Sequence, residues 1–437
     1  MANPKLFGTD GVRGPVGELL TAELALELGR AAASLTAVER PQVLIIRDTR
    51  ESGPMLESAL AAGVADAGGD ALLGGVLPTP AASILVRRLG LDLGVVVSAS
   101  HNPWADNGIK FFGADGAKLG DDDEARIEAW IAAPPSRQAQ VGRVRELAGA
   151  LEDYLRELAG AFTLDLSGRK ILLDCAHGAT SSVAPAAFER LGATVEAVAI
   201  EPDGRNINEG CGSTHIEHLV SRLAKSDAEI GFAFDGDGDR VLAVDSRGLV
   251  RDGDELVALN ALYLREAGAL AGGVAVTVMT NYGFHSAMAV AGIEVASTKV
   301  GDRHVIEELA RRGWTLGGEQ SGHIIWTEFA PSGDGIAAAL MVMQALGDRD
   351  LGALRPFEKL PQRLENVPVA DRSAIEGADT LWREVEKEQA ALKGAGRVLV
   401  RPSGTEPLLR VMVEAPSDGE CRAVVERLVE VARRELG

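Results

Sequence analysis

The sequence is poor in cysteine. Three residues, Cys175, Cys211 and Cys421, are scattered along 437 positions without a CxxC pair. Such an odd, dispersed set excludes a disulfide framework and points to reduced thiols in a cytosolic protein. Long hydrophobic runs are also missing. The longest apolar stretch, Ala267–Met279, is glycine-interrupted and falls short of the roughly 18 residues a membrane-spanning helix needs. The opening MANPKLFGTDGVRG has no apolar core of the kind a signal peptide carries, so none is expected. Positive charge is scarce as well: 44 Lys and Arg stand against 64 Asp and Glu, a net charge of −20. That balance argues against nucleic acid or an anionic membrane as partner. A soluble, cytoplasmic protein with a small-molecule ligand is expected, and any local cluster of arginine and lysine becomes informative.

What is present is a repeated α/β grammar. The length suits about three domains and accommodates a fourth. Thr21–Leu35 reads as an amphipathic helix with Thr21 as its N-cap. A unit of strand, small-residue loop, short helix and second strand then occurs three times. Its first copy is Val43–Ile46, loop Arg47–Gly53, helix Met55–Ala67 and strand Ala71–Leu73. The second is Ile171–Leu173, Asp174–Ser181, Val183–Leu191 and Thr194–Ile200. The third is Val274–Met279, Thr280–Gly283, His285–Ala291 and Ile293–Ser297. Seams are expected at Pro134–Leu147, Ser246–Gly248 and Arg355–Leu364. Beyond the last seam a charged helix (Thr380–Leu392), strands at Val398–Val400 and Leu408–Glu414, and a closing helix (Glu420–Leu436) make a smaller α+β domain. The expected domains are 1–149, 150–248, 249–360 and 361–437.

Six loops carry chemistry. After the buried strand Val95–Val97 comes Ser98-Ala99-Ser100-His101-Asn102-Pro103, with Lys110 beyond a second turn. A hydroxyl, an imidazole and an ammonium therefore share one strand-exit loop. In Phe232–Val244, FAFDGDGDRVLAV, two strands flank Asp235, Asp237 and Asp239. Three carboxylates this close repel one another unless a cation sits between them, and a hard divalent ion suits oxygen donors. An EF-hand would need Gly and Glu where Arg240 and Ser246 stand, so that motif does not fit. Arg240 is placed for an anion bridging to the metal. In Arg401–Arg410, RPSGTEPLLR, the backbone around Ser403, Gly404 and Thr405 can line an anion nest, with Arg401 and Arg410 as guanidinium donors. GGEQSGH (317–323) offers a Glu in a glycine loop suited to sugar hydroxyls. FGTDGVRG (7–14) presents Arg13, and KVGDR (299–303) adds one more such loop. His215, His218, His285 and His304 carry no ligand spacing and read as structural.

Together FGTDGVRG, SASHNPWADNGIKFF, DGDGDR, GGEQSGH and RPSGTEPLLR, in this order, resemble the α-D-phosphohexomutase superfamily over essentially the whole chain. The resemblance implies three similar mixed α/β domains plus a smaller C-terminal α+β domain around a central cleft. It implies that Ser100 is the phosphorylated serine and that Asp235, Asp237 and Asp239 bind one Mg²⁺ together with its phosphate. Glu319 and Ser321 would hold sugar hydroxyls, and Arg401, Ser403, Gly404, Thr405 and Arg410 the phosphate that is not reacting. Lys110, His323 and Arg13 match positions serving proton transfer and transition-state charge; His101, Arg240 and Arg303 would contact substrate. Activation would need a sugar 1,6-bisphosphate or phosphorylation of Ser100, and the chain would act as a monomer or homodimer. The implied reaction interconverts glucosamine 6-phosphate and glucosamine 1-phosphate through a 1,6-bisphosphate, feeding UDP-N-acetylglucosamine and cell-wall precursors.

Two departures are noted: Trp104 where Tyr or Phe is common, and His177 where Asn is usual. Alternatives remain open at this point. The same chemistry could act on mannose or glucose phosphates, although GGEQSGH and KVGDR differ from the GEMSGH and KTGH of those relatives. A phosphohydrolase, with water as final acceptor, or a metal-dependent sugar-phosphate-binding protein would use the same loops.

Overall fold

The computed structural model describes residues 6–8, 10–134, 141–371, 374–403 and 407–437. Its contacts divide the chain into two units, Met1–Val278 with Ile293–Leu354, and Met279–Gly292 with Arg355–Gly437.

The first unit holds three sheets. One comprises β1 (Val12–Pro15), β2 (Gln42–Arg47), β3 (Asp70–Val76), β4 (Leu93–Val97), β5 (Asp106–Gly113) and β6 (Val144–Glu146), in the order β1-β5-β4-β2-β3-β6. The next comprises β7 (Lys170–Asp174), β8 (Thr194–Val198), β9 (Ile230–Phe234), β10 (Val241–Asp245) and β11 (Val250–Arg251), in the order β11-β10-β9-β7-β8. The last comprises β12 (Val274–Thr277), β13 (Val295–Thr298), β14 (Leu316–Gly318) and β15 (Ile324–Trp326), in the order β13-β12-β14-β15. A common core recurs: β3-β2-β4-β5, β8-β7-β9-β10 and β13-β12-β14-β15. In each, the central strand is parallel to two neighbours and the fourth strand returns antiparallel. The three-fold α/β repeat expected from the sequence is thus real.

The repeat dictates where the chemistry sits. The connection between the third and fourth strands of the core carries Ser100 in the first copy and Asp235, Asp237 and Asp239 in the second. In the third it carries Glu319, Ser321 and His323. Parallel strands covered on both faces read as continuous apolar runs, and Val43–Ile46 and Val95–Val97 are fully buried. Thr21 caps the helix Ala22–Leu35, its Oγ1 accepting from Leu24 N at 3.2 Å. That helix lies hard against the helix Gly53–Asp66. A Cβ at Gly29 would stand 2.4 Å from Leu60 O and one at Gly63 2.1 Å from Leu26 O, so only glycine permits the approach.

Element edges differ from the sequence reading where local geometry intervenes. The strand expected to run to Ile200 stops at Val198, because Ala199 adopts φ 51°. β6 is an exposed three-residue edge strand inside the expected seam Pro134–Leu147, paired parallel to β3.

The second unit is a different α+β body. β16 (Gln362–Pro368), β17 (Arg397–Pro402) and β18 (Leu408–Glu414) form an antiparallel sheet ordered β16-β18-β17. Leu409, Val411 and Val413 pack with Leu381, Val424, Val425 and Leu428 of the helices Asp379–Ala391 and Asp418–Leu436. The three cysteines are buried and unpaired. No helix among the described residues is long and apolar enough to cross a membrane.

Candidate active site

β4 delivers Ser98 and Ser100 into a buried loop. Ser100 stands in the left-handed region at φ 52°, which costs a residue with a Cβ roughly 1–3 kcal/mol and persists only where surroundings enforce it. Its Oγ donates to Asp235 Oδ2 at 2.6 Å and lies 3.2 Å from His101 Nδ1. Burial, with Arg240 and Arg13, lowers the His101 imidazole to about 4, so the ring is neutral at pH 7.

Asp235, Asp237 and Asp239 are buried, with one carboxylate oxygen of each within 4.8 Å of the others. Gly238, at φ 72°, turns the loop where a Cβ would strike Thr180 Cγ2 at 2.5 Å. Burial, Asp239 and Asp237 push the Asp235 carboxyl well above its ordinary range. Asp237 Oδ2 accepts from Thr79 Oγ1 at 2.6 Å and Lys110 Nζ at 3.0 Å. Asp237 Oδ1 and Asp239 Oδ1 are buried with no hydrogen bond. Crowded carboxylates with orphaned oxygens are the donor set of a hard divalent cation, so these residues fit a metal.

Around the triad the charges alternate in a closed ring. Lys110 Nζ lies 3.0 Å from Asp237, 3.8 Å from Asp239 and 2.9 Å from Asp10. Asp10 continues to Lys118 at 2.6 Å, and Lys118 to Asp302 at 2.5 Å. His323 closes the circuit, Nε2 3.6 Å from Asp302 and Nδ1 3.6 Å from Asp239. Burial lowers both lysines, but Asp10, with Asp237 beside Lys110 and Asp302 beside Lys118, outweighs it and both are raised. His323 is likewise raised, burial being overcome by Asp239 and Asp302. An ammonium held this firmly neutralises charge; it does not serve as a base.

The other expected residues divide. Arg13 pairs with Asp10 at 2.7 Å and reaches Asn102 Oδ1 at 3.4 Å. The Arg240 amide donates to Asp235 Oδ1 at 3.2 Å, and its guanidinium faces Asp239 at 3.8 Å. Glu319 is buried and accepts from Gly301 N at 3.0 Å, whereas Ser321 is exposed. Arg303 is not brought to the ring. Its guanidinium pairs with Asp121 at 2.7 Å, Glu307 at 3.3 Å and Glu124 at 3.7 Å, and its neighbour Asp302 joins the ring instead. Asp10, Lys118 and Asp302 were not singled out from sequence. Asp10 and Asp302 stand in the two glycine loops already noted, the only signal available; Lys118 has none.

A second cluster lies in the second unit. Arg401 and Arg410 are direct cross-strand partners on β17 and β18. Burial, then Arg410, lowers the Arg401 guanidinium from its ordinary value. Arg410 Nη2 lies 3.5 Å from Ser403 Oγ. Like charges facing each other across strands repel, and a bound phosphate would relieve this while meeting two planar donors. Gly404 and Thr405 lie outside the described residues.

Comparison with known proteins agrees with this geometry. Family models match at residues 4–138, 152–248 and 252–364, described as phosphoglucomutase/phosphomannomutase alpha/beta/alpha domains I, II and III, and at 364–431, the C-terminal domain. The chain is 51% identical to a phosphoglucosamine mutase of Desulforudis audaxviator, with 99% of each chain covered. It is 48% identical to one of Pelotomaculum thermopropionicum, covering 98% of this chain and 99% of the relative. Among solved structures, a phosphoglucomutase/phosphomannomutase family protein of Burkholderia thailandensis superposes with TM-score 0.83 at 25% identity, covering 100% of this chain and 98% of the other.

Proposed function

Since this chain belongs to the phosphoglucomutase/phosphomannomutase family, we propose that it interconverts glucosamine 6-phosphate and glucosamine 1-phosphate, with Ser100 as the phosphoryl carrier. The observation that carries this reading is Ser100 Oγ, held 2.6 Å from a carboxylate of a triad with orphaned oxygens. Phospho-Ser100 gives its phosphoryl group to the free sugar hydroxyl: the Ser Oγ–P bond breaks, the sugar O–P bond forms and, in the balance, the hydroxyl proton ends on Ser100 Oγ. The resulting 1,6-bisphosphate turns, and its other phosphoryl group returns to Ser100.

Phosphoryl transfer is mainly positioning and charge neutralisation. Lys110 supplies a fixed positive charge, while Arg240 and Arg13 face the transferring group. Mg²⁺, held by Asp235, Asp237 and Asp239 with the Ser100 phosphate, would add the Lewis acid that offsets charge on the phosphoryl oxygens. His323, between Asp239 and Asp302, is the imidazole whose protonated form these two carboxylates favour against burial. Glu319 and Ser321 grip sugar hydroxyls, and Arg401, Ser403 and Arg410, with Gly404 and Thr405, take the phosphate that is not reacting.

The amino-sugar assignment follows relatives named phosphoglucosamine mutase at 48–51% identity over nearly the full length. It is tested by kcat/KM for glucosamine, glucose and mannose 1-phosphates, with inorganic phosphate measured alongside. Preference for the glucosamine ester without net phosphate release is expected. Preference for mannose would overturn the sugar, and stoichiometric phosphate release would make the protein a hydrolase.

A further inference from the structure

Arg50, in the loop that follows the first repeat's central strand β2, is fully buried. An arginine has five N–H donors, and here every one has an acceptor. Nε donates to Asp48 Oδ2 at 2.8 Å. Nη2 donates to Ser100 O at 2.9 Å and Asn102 O at 2.8 Å. Nη1 donates to Pro103 O and, at 3.0 Å, to Asp106 O. Four of the five acceptors are thus backbone carbonyls of the one loop that carries Ser100.

Asp48 extends the grip to the peptide on the other side of Ser100. Its Oδ1 accepts from the Arg50 amide at 3.0 Å, and its Oδ2 accepts from Ser98 Oγ at 2.6 Å. Ser98 Oγ in turn accepts from Ser100 N at 3.0 Å. Asn208 Nδ2 adds a second donor on Ser100 O at 3.0 Å. Both backbone polar groups of Ser100 are therefore fixed, and between them the residue stands at φ 52°. That torsion aims Oγ at Asp235; relaxation toward the ordinary right-handed or extended regions would swing Cβ away.

We propose that Arg50 is a positioning residue for phosphoryl transfer: its guanidinium, anchored by Asp48, holds the Ser100–Asp106 backbone so that Ser100 Oγ stays on the carboxylate triad. The inference rests on Ser100 being the phosphoryl carrier. Lysine cannot replace it, because three donors on a point charge cannot serve four carbonyls spread along a loop.

The test uses the full chain, loaded with a sugar 1,6-bisphosphate, as Arg50→Lys, Arg50→Ala and Asp48→Asn. Asp48→Asn keeps an oxygen for the Arg50 amide but replaces the acceptor of Arg50 Nε, so it loosens the anchor while leaving the guanidinium in place, and it decides the matter if the Arg50 variants do not fold. Misplacement of a reacting atom by an ångström costs about a hundredfold. Arg50→Lys is expected to lose about a hundredfold in kcat and Asp48→Asn about tenfold, with KM within about threefold of the parent. The ³¹P resonance of phospho-Ser100 should move in both, and added guanidinium should raise the kcat of Arg50→Ala. Parent-like kcat in cooperatively melting Arg50→Lys or Asp48→Asn would overturn the proposal. So would a folded Arg50→Ala that guanidinium does not improve. Turnover by Ser100→Ala would instead sink the carrier assignment, whatever the Arg50 variants do.

Discussion

Asp334 offers a quantitative check on how the first unit holds the site. It caps the helix Gly335–Leu346, accepting from Ala337 N at 2.9 Å, and accepts from Tyr154 Oη at 2.7 Å. It is 3% exposed, and burial raises its carboxyl from 3.8 to about 6. Its neighbours in sequence press on the site: a Cβ at Gly333 would meet His323 Nε2 at 2.4 Å, and one at Gly335 would meet Arg240 O at 2.5 Å. With a folded value above the unfolded one, the folded chain binds more protons between pH 3.8 and 6. The contribution to stability is therefore present below 3.8 and lost as pH rises through 6. A shift of about 2 units corresponds to about 3 kcal/mol. In Asp334→Asn, Oδ1 keeps the cap and Nδ2 donates to Tyr154 Oη, with no charge to bury. Urea unfolding of both proteins at successive pH values isolates this group, because every other titration cancels in the difference. The stability difference should move in favour of Asn by about 2 kcal/mol between pH 4.5 and 7.5, and turnover at pH 7 should persist. A difference that stays flat, or moves the other way, would refute the assignment of a buried carboxylate held against its charge.

Two further outcomes follow from the charge clusters. Arg410→Gln removes one of two facing guanidiniums; losing a charge-assisted bond to phosphate, worth about 1.5–3 kcal/mol, should lower kcat/KM roughly 10- to 100-fold. Unaltered kcat/KM would count against a phosphate there. Lys118→Met leaves Asp10 and Asp302 without the ammonium between them. Removing the ammonium leaves two partly buried carboxylates without the charge that separates them, so a lower melting temperature with reduced kcat is expected. A variant equal to the parent on both measures would show that the ring does no work.

The sequence made plain what is contiguous along the chain. The Ser98–Lys110 loop, the Asp235–Asp239 triad, the Arg401–Arg410 turn and the Thr21 cap each depend on neighbours within a dozen residues. The repeat was visible because parallel strands covered on both faces leave uninterrupted apolar runs. The charge ring was not visible, because Lys118 meets Asp10 and Asp302 across 108 and 184 residues. The resemblance makes Arg303 a substrate contact; the fold turns it to Asp121 and Glu307, contacts that lie 182 and 4 residues away along the chain. Arg50 left no trace because its partners are backbone carbonyls, which no residue type announces. β1 was hidden in a glycine-rich loop, its pairing to β5 visible only in three dimensions, and β6, exposed throughout, has no apolar period.

The central claim is that Ser100 carries the phosphoryl group between the two ends of the sugar. Its most direct test is to incubate the protein with a ³²P-labelled sugar 1,6-bisphosphate, map the label by peptide mass spectrometry, and chase with unlabelled glucosamine 6-phosphate. One phosphoryl group per chain on Ser100, passing into glucosamine phosphate during the chase, is the expected result. Label on another residue, or label on Ser100 that the chase releases as inorganic phosphate, would contradict it.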